Sequence, residues 1–219
     1  MGSWMSLASL SSQPSARRPG EGERRERILE AAERAFAMHG FHAATMQHVA
    51  EAAGMSAGNL YRTFPSKEAI VEGLCTRDQQ ERMTSFANLA ESASILESFG
   101  GALREHVASK TRHKARMLVE IWAEAGRNPA VAAIALGVDA NVLRQIECLI
   151  AIARERGETT PDIDPAAVAR FIFTYVGGLL KRLALEPDFD AEAEADKAFA
   201  FFKAMCGGAF APAGTEFTR

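Results

Sequence analysis

The chain has 219 residues, 47% of them hydrophobic, and a net charge of −3. It is long enough for one large domain or for a small module joined to a bigger one. No apolar run reaches the roughly 18 uncharged residues needed to cross a bilayer, and the first twenty residues lack the basic start and apolar block of a secretory signal, so a soluble, cytoplasmic protein without a membrane partner is expected. The cysteines, Cys75, Cys148 and Cys206, are too scattered for a disulfide framework or a zinc site; each reads as a small buried hydrophobe in an apolar helical context.

Charge is distributed unevenly. Residues 1–77 hold nine Lys and Arg against eight Asp and Glu, and the remainder sixteen against twenty. That bias permits a nucleic-acid surface at the front of the chain without demanding one.

Residues 1–22, rich in Ser, Gly and Pro, read as a disordered tail, within which Arg17 and Arg18 could reach a polyanion. From Glu23 the pattern becomes helical: Ile28, Ala32, Ala35 and Phe36 recur at three- and four-residue intervals until Gly40 stops the helix. Thr45 caps a short second helix that Gly54 closes, Ser56 caps a third that ends before Pro65, and Ser66 caps a fourth reaching about Leu89. Beyond it the text stays helical. The next helix is expected to loosen at Gly100-Gly101, a long one follows Pro129 with a possible kink at Gly137, Asp164-Pro165 opens another, and the last runs from near Asp190 to Cys206. Residues 209–219 read as a flexible end. The fold class expected is therefore all-α, with no β-hairpin, repeat or heptad array.

Chemistry of the catalytic kind is missing from the text. There is no phosphate-binding glycine loop, nucleophile elbow or HExxH, and His39, His42, His48, His106 and His113 share no ligand spacing. No metal, no cofactor and no enzymatic activity are expected.

The informative stretch is "GMSAGNLYRTFPSKEAI", residues 54–70. Two short helices joined by "AGMS" suit a helix-turn-helix, because Gly54 can take the left-handed conformation and Ser56 restarts the chain as a cap. The second helix of such a motif enters the major groove and reads bases from its amino-terminal part. Gly58 removes a side chain where backbone must approach DNA, Asn59 offers a donor and an acceptor, and Arg62 is a base or phosphate ligand. Tyr61 can give its hydroxyl to a phosphate, while Leu60 and Phe64 point inward. Thr45 and Lys67, each at a helix start, are placed for phosphate. Gln47, His48, Ser56 and Ala57 complete the expected DNA-binding set.

From Arg27 to Leu74, "RILEAAERAFAMHGFHAATMQHVAEAAGMSAGNLYRTFPSKEAIVEGL" resembles the DNA-binding domain of the TetR family of bacterial transcriptional regulators. Ile-Leu-x-Ala-Ala opens the first helix, Phe-x-x-x-Gly ends it, Val-Ala-x-x-Ala-Gly-Met-Ser spans the turn, Gly-x-Leu-Tyr-x-x-Phe forms the recognition helix and Ser-Lys-Glu starts the fourth. One position departs: where the family commonly places an acid three residues after the helix-two Thr, completing a capping box, this chain has His48. There the cap is expected to be weaker, with His48 an exposed helix residue or a phosphate contact.

The resemblance implies a helix-turn-helix domain over residues 23–69, joined through the fourth helix to an effector-binding and dimerisation domain over residues 70–208. It implies a ligand-released repressor that binds a palindromic double-stranded DNA operator as a homodimer through its last two long helices. Phe171, Val176, Gly177, Gly178, Leu179, Phe199, Phe201 and Phe202 are the expected dimer residues. The middle helices would enclose a small apolar or aromatic effector, lined by Phe99, Leu103, Met117, Ile121, Trp122, Leu143, Ile146 and Tyr175 and anchored by His106 and Glu120. Control by a protein partner or by thiol oxidation is the alternative within the family, and a helical enzyme the alternative outside it.

Overall fold

A computed structural model describes residues 20–208, and among these residues the chain forms nine α-helices and no strand. They are α1 (Glu21–His39), α2 (Met46–Ala52), α3 (Ala57–Tyr61), α4 (Lys67–Glu91), α5 (Ile95–Ala108), α6 (Arg112–Ala125), α7 (Pro129–Glu155), α8 (Pro165–Leu185) and α9 (Ala191–Cys206). The expected tail residues up to 19, with Arg17 and Arg18, and the expected flexible end at 209–219 lie outside the described residues. α1 already begins at Glu21.

Local chemistry sets most boundaries. Thr45, Ser56, Ser66, Ser94, Thr111, Asn128, Asp164 and Asp190 each accept a backbone N–H of their own helix's first turn, a contact typically worth about 1 kcal/mol. Pro129 and Pro165 occupy first-turn positions, where the missing N–H costs nothing.

Two larger packed cores and two smaller groups follow. In the first, Ile28, Leu29 and Phe36 of α1 meet Val49, Leu60, Phe64 and the start of α4, together with Met117 and Ile121 of α6 and Val131 of α7. In the second, Phe99 of α5, Ile146 and Ile150 of α7, Ile172 of α8 and Phe202 of α9 come together. The first core crosses the sequence boundary expected near residue 69, so the amino-terminal helices and α6 share one interior.

α4 and α7 run side by side in the same direction. Asn128 Nδ2 donates to Glu68 Oε1 at one end, 60 residues apart, and Arg156 donates to Ser92 O at the other, 64 residues apart.

Three sequence expectations are corrected. α5 is continuous through Gly100-Gly101; Gly100 is there because the Phe199 ring of α9 lies where a Cβ would stand. α7 likewise passes Gly137 unbroken. Cys148 is exposed, whereas Cys206 is buried and Cys75 half-buried. Burial pushes the thiols of Cys75 and Cys206 up to about 11 and about 12, which leaves little thiolate to oxidise at neutral pH. No helix among the described residues is long and apolar enough to cross a membrane.

The glycine pair in α5 gives a stability test. At Gly101 an added methyl meets nothing within 4 Å, so Gly101→Ala should stabilise the protein by about 0.5–1 kcal/mol through helix propensity. Gly100→Ala should destabilise it by about 1–3 kcal/mol through overpacking against Phe199. Thermal denaturation of the two variants should therefore move the midpoint in opposite directions.

Candidate nucleic-acid interface

α2, its turn and α3 are assembled from backbone upward. At the end of α2, Gly54 takes φ +64, and the amides of Gly54 and Met55 donate to Glu51 O and Ala50 O at 3.0 Å each. This paired closure needs a left-handed residue at Gly54 and satisfies the last carbonyls of α2. Ser56 Oγ then accepts from Asn59 N at 3.3 Å and opens α3.

α3 is held by two apolar anchors. Leu60 and Phe64 are fully buried, Thr63 and Phe64 donate back to Leu60 O at 2.9 Å, and the Arg25 guanidinium lies 4.4 Å from the Phe64 ring centre. A Cβ at Gly73 of α4 would stand 2.8 Å from Phe64 Cε1 and 3.0 Å from Leu29 Cδ2, so glycine lets α4 press against α3's anchor. Arg24 Nη2 donates to Asn59 O at 2.6 Å and ties the start of α1 to the same helix. Arg24, Arg25 and Gly73 escaped sequence reading because they act through packing across elements.

With its anchors inward, α3 turns Ser56, Gly58, Asn59, Tyr61 and Arg62 outward, with Ala57 half-buried between them. Tyr61 is 50% exposed despite its ring. A methyl added at Gly58 would meet nothing within 4 Å; the missing side chain serves no packing need within the chain. Arg62 Nη1 makes one long hydrogen bond to Asn59 Oδ1, 3.4 Å, which holds the two side chains on one exposed surface. Gln47 of α2 is also exposed, its amide donating to Glu51 Oε1 at 2.8 Å.

Two residues are employed differently from expectation. His48 completes the capping box that the missing acid had put in doubt: Thr45 Oγ1 accepts from His48 N, and His48 Nδ1 accepts from Thr45 N, each at 3.3 Å. Its ring also stacks on His39 with centres 4.1 Å apart. Lys67 Nζ donates to the carbonyls of Phe41, His42 and Ala44 at 2.9, 3.2 and 3.3 Å and sits over the Phe41 ring. Its ammonium is thus spent on holding the loop between α1 and α2. At the same helix start, the Glu68 carboxyl is held below its ordinary range by its own backbone N–H, with Ser66 and Asn128 assisting, so a carboxylate already occupies the start of α4.

The expected effector residues do not gather in one place. Met117 and Ile121 belong to the first core, with residues of α1 to α4. Glu120 Oε2 accepts from Phe41 N at the junction of α6 with the loop after α1, and Trp122 is 39% exposed. Phe99, Leu143 and Ile146 lie in the second core, and Leu103 and Tyr175 in a third group with Leu179. Lys110, Arg82, Asp78 and Lys114 act electrostatically on His106. A recess of about 280 Å³ lies at the α1–α6 junction, bordered by His39, His42, Glu120 and Arg127; it falls short of the usual volume of a small-molecule pocket.

Of the expected dimer residues, Leu179 and Phe202 are buried in their own chain and cannot face a second copy. Val176 packs between the second and third cores, and Phe199 against Gly100. Phe171 and Phe201 are 44% and 49% exposed, and Leu185, unremarked in the sequence, joins them. Cβ atoms at Gly177 and Gly178 would meet nothing within 4 Å.

Known proteins resemble this chain over most of its length. Residues 28–74 match the family described as bacterial regulatory proteins, tetR family, and residues 102–207 match the BetI-type transcriptional repressor C-terminal family. The HTH-type transcriptional regulator UidR of Escherichia coli strain K12 is 32% identical over 188 residues, covering 84% of this chain and 91% of the relative. Among solved structures, Salmonella enterica GusR superposes with a TM-score of 0.71 at 28% identity, covering 84% of this chain and 95% of the other. FadR from Bacillus subtilis in complex with stearoyl-CoA superposes with a TM-score of 0.72 at 18% identity, covering 82% and 98%.

Two variants separate the structural duties from DNA contact. Lys67→Ala should lower stability by about 1–3 kcal/mol, the usual worth of charge-assisted hydrogen bonds. His48→Ala should cost about 0.5–1 kcal/mol of cap, which His48→Glu should restore. Chemical denaturation checks both; an unchanged midpoint for Lys67→Ala would contradict the carbonyl clamp.

Proposed function

Because the chain belongs to the TetR family of bacterial transcriptional regulators, we propose that it acts as a ligand-released repressor, binding a palindromic operator as a homodimer. The observation that supports this most is the outward face of α3. Gly58, Asn59, Tyr61 and Arg62 are exposed together while Leu60 and Phe64 lock the helix beneath them. Asn59 and Arg62 carry the donors and acceptors for base edges, Gly58 lets the backbone come close, and Tyr61 and the exposed first turn of α2 meet phosphate.

The dimer is formed through α8 and α9. Phe171, Gly178 and Leu185 lie along one side of α8, close to an i, i+7, i+14 spacing, and Phe201 is exposed on α9. The empty surroundings of Gly177 and Gly178 leave room for a second copy's helix to approach closely. A twofold pair then presents two recognition helices, which accounts for operator palindromy. Effector control fits a fold in which a neighbour, FadR, carries stearoyl-CoA. Release follows if the effector favours the arrangement of heads that does not match the operator. On this reading residues 23–69 form the reading head and residues 70–208 the control and dimer body.

Three measurements test the proposal. In a mobility-shift assay with DNA flanking the gene, the protein should bind one site selectively, with affinity falling steeply as salt rises; equal affinity for all sequences would refute it. Asn59→Ala and Arg62→Ala should relax base preference, costing roughly 1–3 kcal/mol of discrimination each. Phe171→Glu with Phe201→Glu should convert the dimer to monomer on sedimentation and abolish operator binding.

A further inference from the structure

The apolar contacts of α3 fix its depth and leave its roll open. Ala57, Leu60 and Phe64 meet the first core at three- and four-residue spacing, so they lie along one side of the helix. Apolar burial has no direction, and a helix seated on a single stripe can rock about it. Asn59 stands about 100° around the helix from Leu60, so a roll about that stripe carries its side chain across a base edge. Aiming it takes a restraint away from the stripe.

Arg24 supplies one. The last turn of α3 tightens: Thr63 N, which in an unbroken α-helix would reach Asn59 O, donates with Phe64 N to Leu60 O, each at 2.9 Å. The Asn59 carbonyl is left without that amide, and Arg24 Nη2, 35 residues earlier in the chain, donates to it at 2.6 Å. Its charged donor makes this one of the stronger hydrogen bonds, and unlike apolar contact it is directional. The root of Arg24 is itself firm, because Ile28 and Leu29, about one turn further along α1, are buried in the first core. The neighbouring Arg25 guanidinium lies 4.4 Å from the Phe64 ring centre, so adjacent residues of α1 grip α3 at a carbonyl and just past its end. The grip has a cost. Arg24 Nε is buried with no hydrogen-bond partner among the described residues, although buried donors are normally satisfied. Turned to water, the same side chain would give every N–H a partner but release Asn59 O.

We propose that Arg24 is a positioning residue for base recognition: through the Asn59 carbonyl it sets the roll of α3, and with it the place where Asn59 and Arg62 meet the bases. Arg62 Nη1 is bonded to Asn59 Oδ1 at 3.4 Å, so the two side chains turn as a pair. The proposal rests on the base-reading role given above to α3 and adds a residue that enters specificity without touching a base. Its loss leaves the hold on any duplex intact and blurs the choice between sequences.

The test uses the full chain in the shift assay, titrated against the site that wild type selects and against a scrambled duplex of equal length. Arg24→Met, which keeps the stem and loses the donors, should lower the ratio of the two affinities roughly tenfold, with affinity for the scrambled duplex and its salt slope unchanged. Arg24→Lys, which restores a charged donor, should recover most of the ratio. Added to Asn59→Ala, Arg24→Met should cost much less than it costs wild type, because the base contact it serves is already gone. Thermal unfolding checks that each variant is folded; if Arg24→Met is unfolded at the assay temperature, Arg24→Ala, with its higher helix propensity, takes its place and the same ratio decides. A ratio unchanged by loss of the donor overturns the role, as does full additivity with Asn59→Ala. So does equal weakening on both duplexes with a salt slope lower by about one, the mark of a phosphate ligand. If wild type itself selects no site, the base-reading role of α3 fails and that of Arg24 falls with it; if wild type is selective and Arg24→Met equally so, the role of Arg24 alone fails.

Discussion

The recognition helix has no core of its own, and everything about its placement depends on that. α3 is five residues long and contributes Leu60 to the interior, with Phe64 following just beyond its end. A helix so short is not stable alone; it exists because those two side chains enter a core closed by α1, α4 and α6. Met117 and Ile121 of α6 lie in that same core. α3, the proposed DNA-reading helix, and α6 are thus two walls of one packed interior, and close-packed interiors transmit displacement rather than absorb it.

Cations show a similar division of labour. Arg77 forks between Glu26 and Glu33 at 2.7 and 2.6 Å, fastening α4 to α1. Arg112 donates to Leu183 O and Pro187 O at 2.7 and 2.8 Å, where the carbonyls at the end of α8 favour positive charge. Lys67 grips three carbonyls of the loop before α2. These are structural rivets. Arg62, bonded only at 3.4 Å to its neighbour Asn59, stands apart from them. A positively charged side chain in this fold is thus best interpreted by what it already touches, since its sign alone does not separate a rivet from a contact.

The all-α class, the order of the helices and most of their starts were readable from the sequence, because caps such as Thr45, Ser56 and Asp164 act within one turn and prolines announce first positions locally. The helix-turn-helix was readable for the same reason: Gly54 and Ser56 are neighbours, and their chemistry is local. What could not be read depends on partners far along the chain. Gly100 looked like a weak point because Phe199 lies 99 residues away. Leu179 and Phe202 looked like interface because hydrophobicity does not say which side of a helix faces its own subunit. Lys67 looked free because its acceptors are backbone oxygens, which carry no signal in sequence. Among the expected pocket residues, apolar character led toward the packed cores.

The capping box at α2 carries a chemical constraint of its own. An imidazole can close the box only while Nδ1 keeps its lone pair, since that atom accepts the Thr45 amide. A carboxylate in that place would accept and remain negative, repelling a phosphate beside it; a neutral histidine accepts without that repulsion. Protonated, the ring would attract the phosphate but would have only N–H bonds to offer, and the box would open. On the proposed DNA face, closing the start of α2 therefore needs the lone pair on His48 Nδ1.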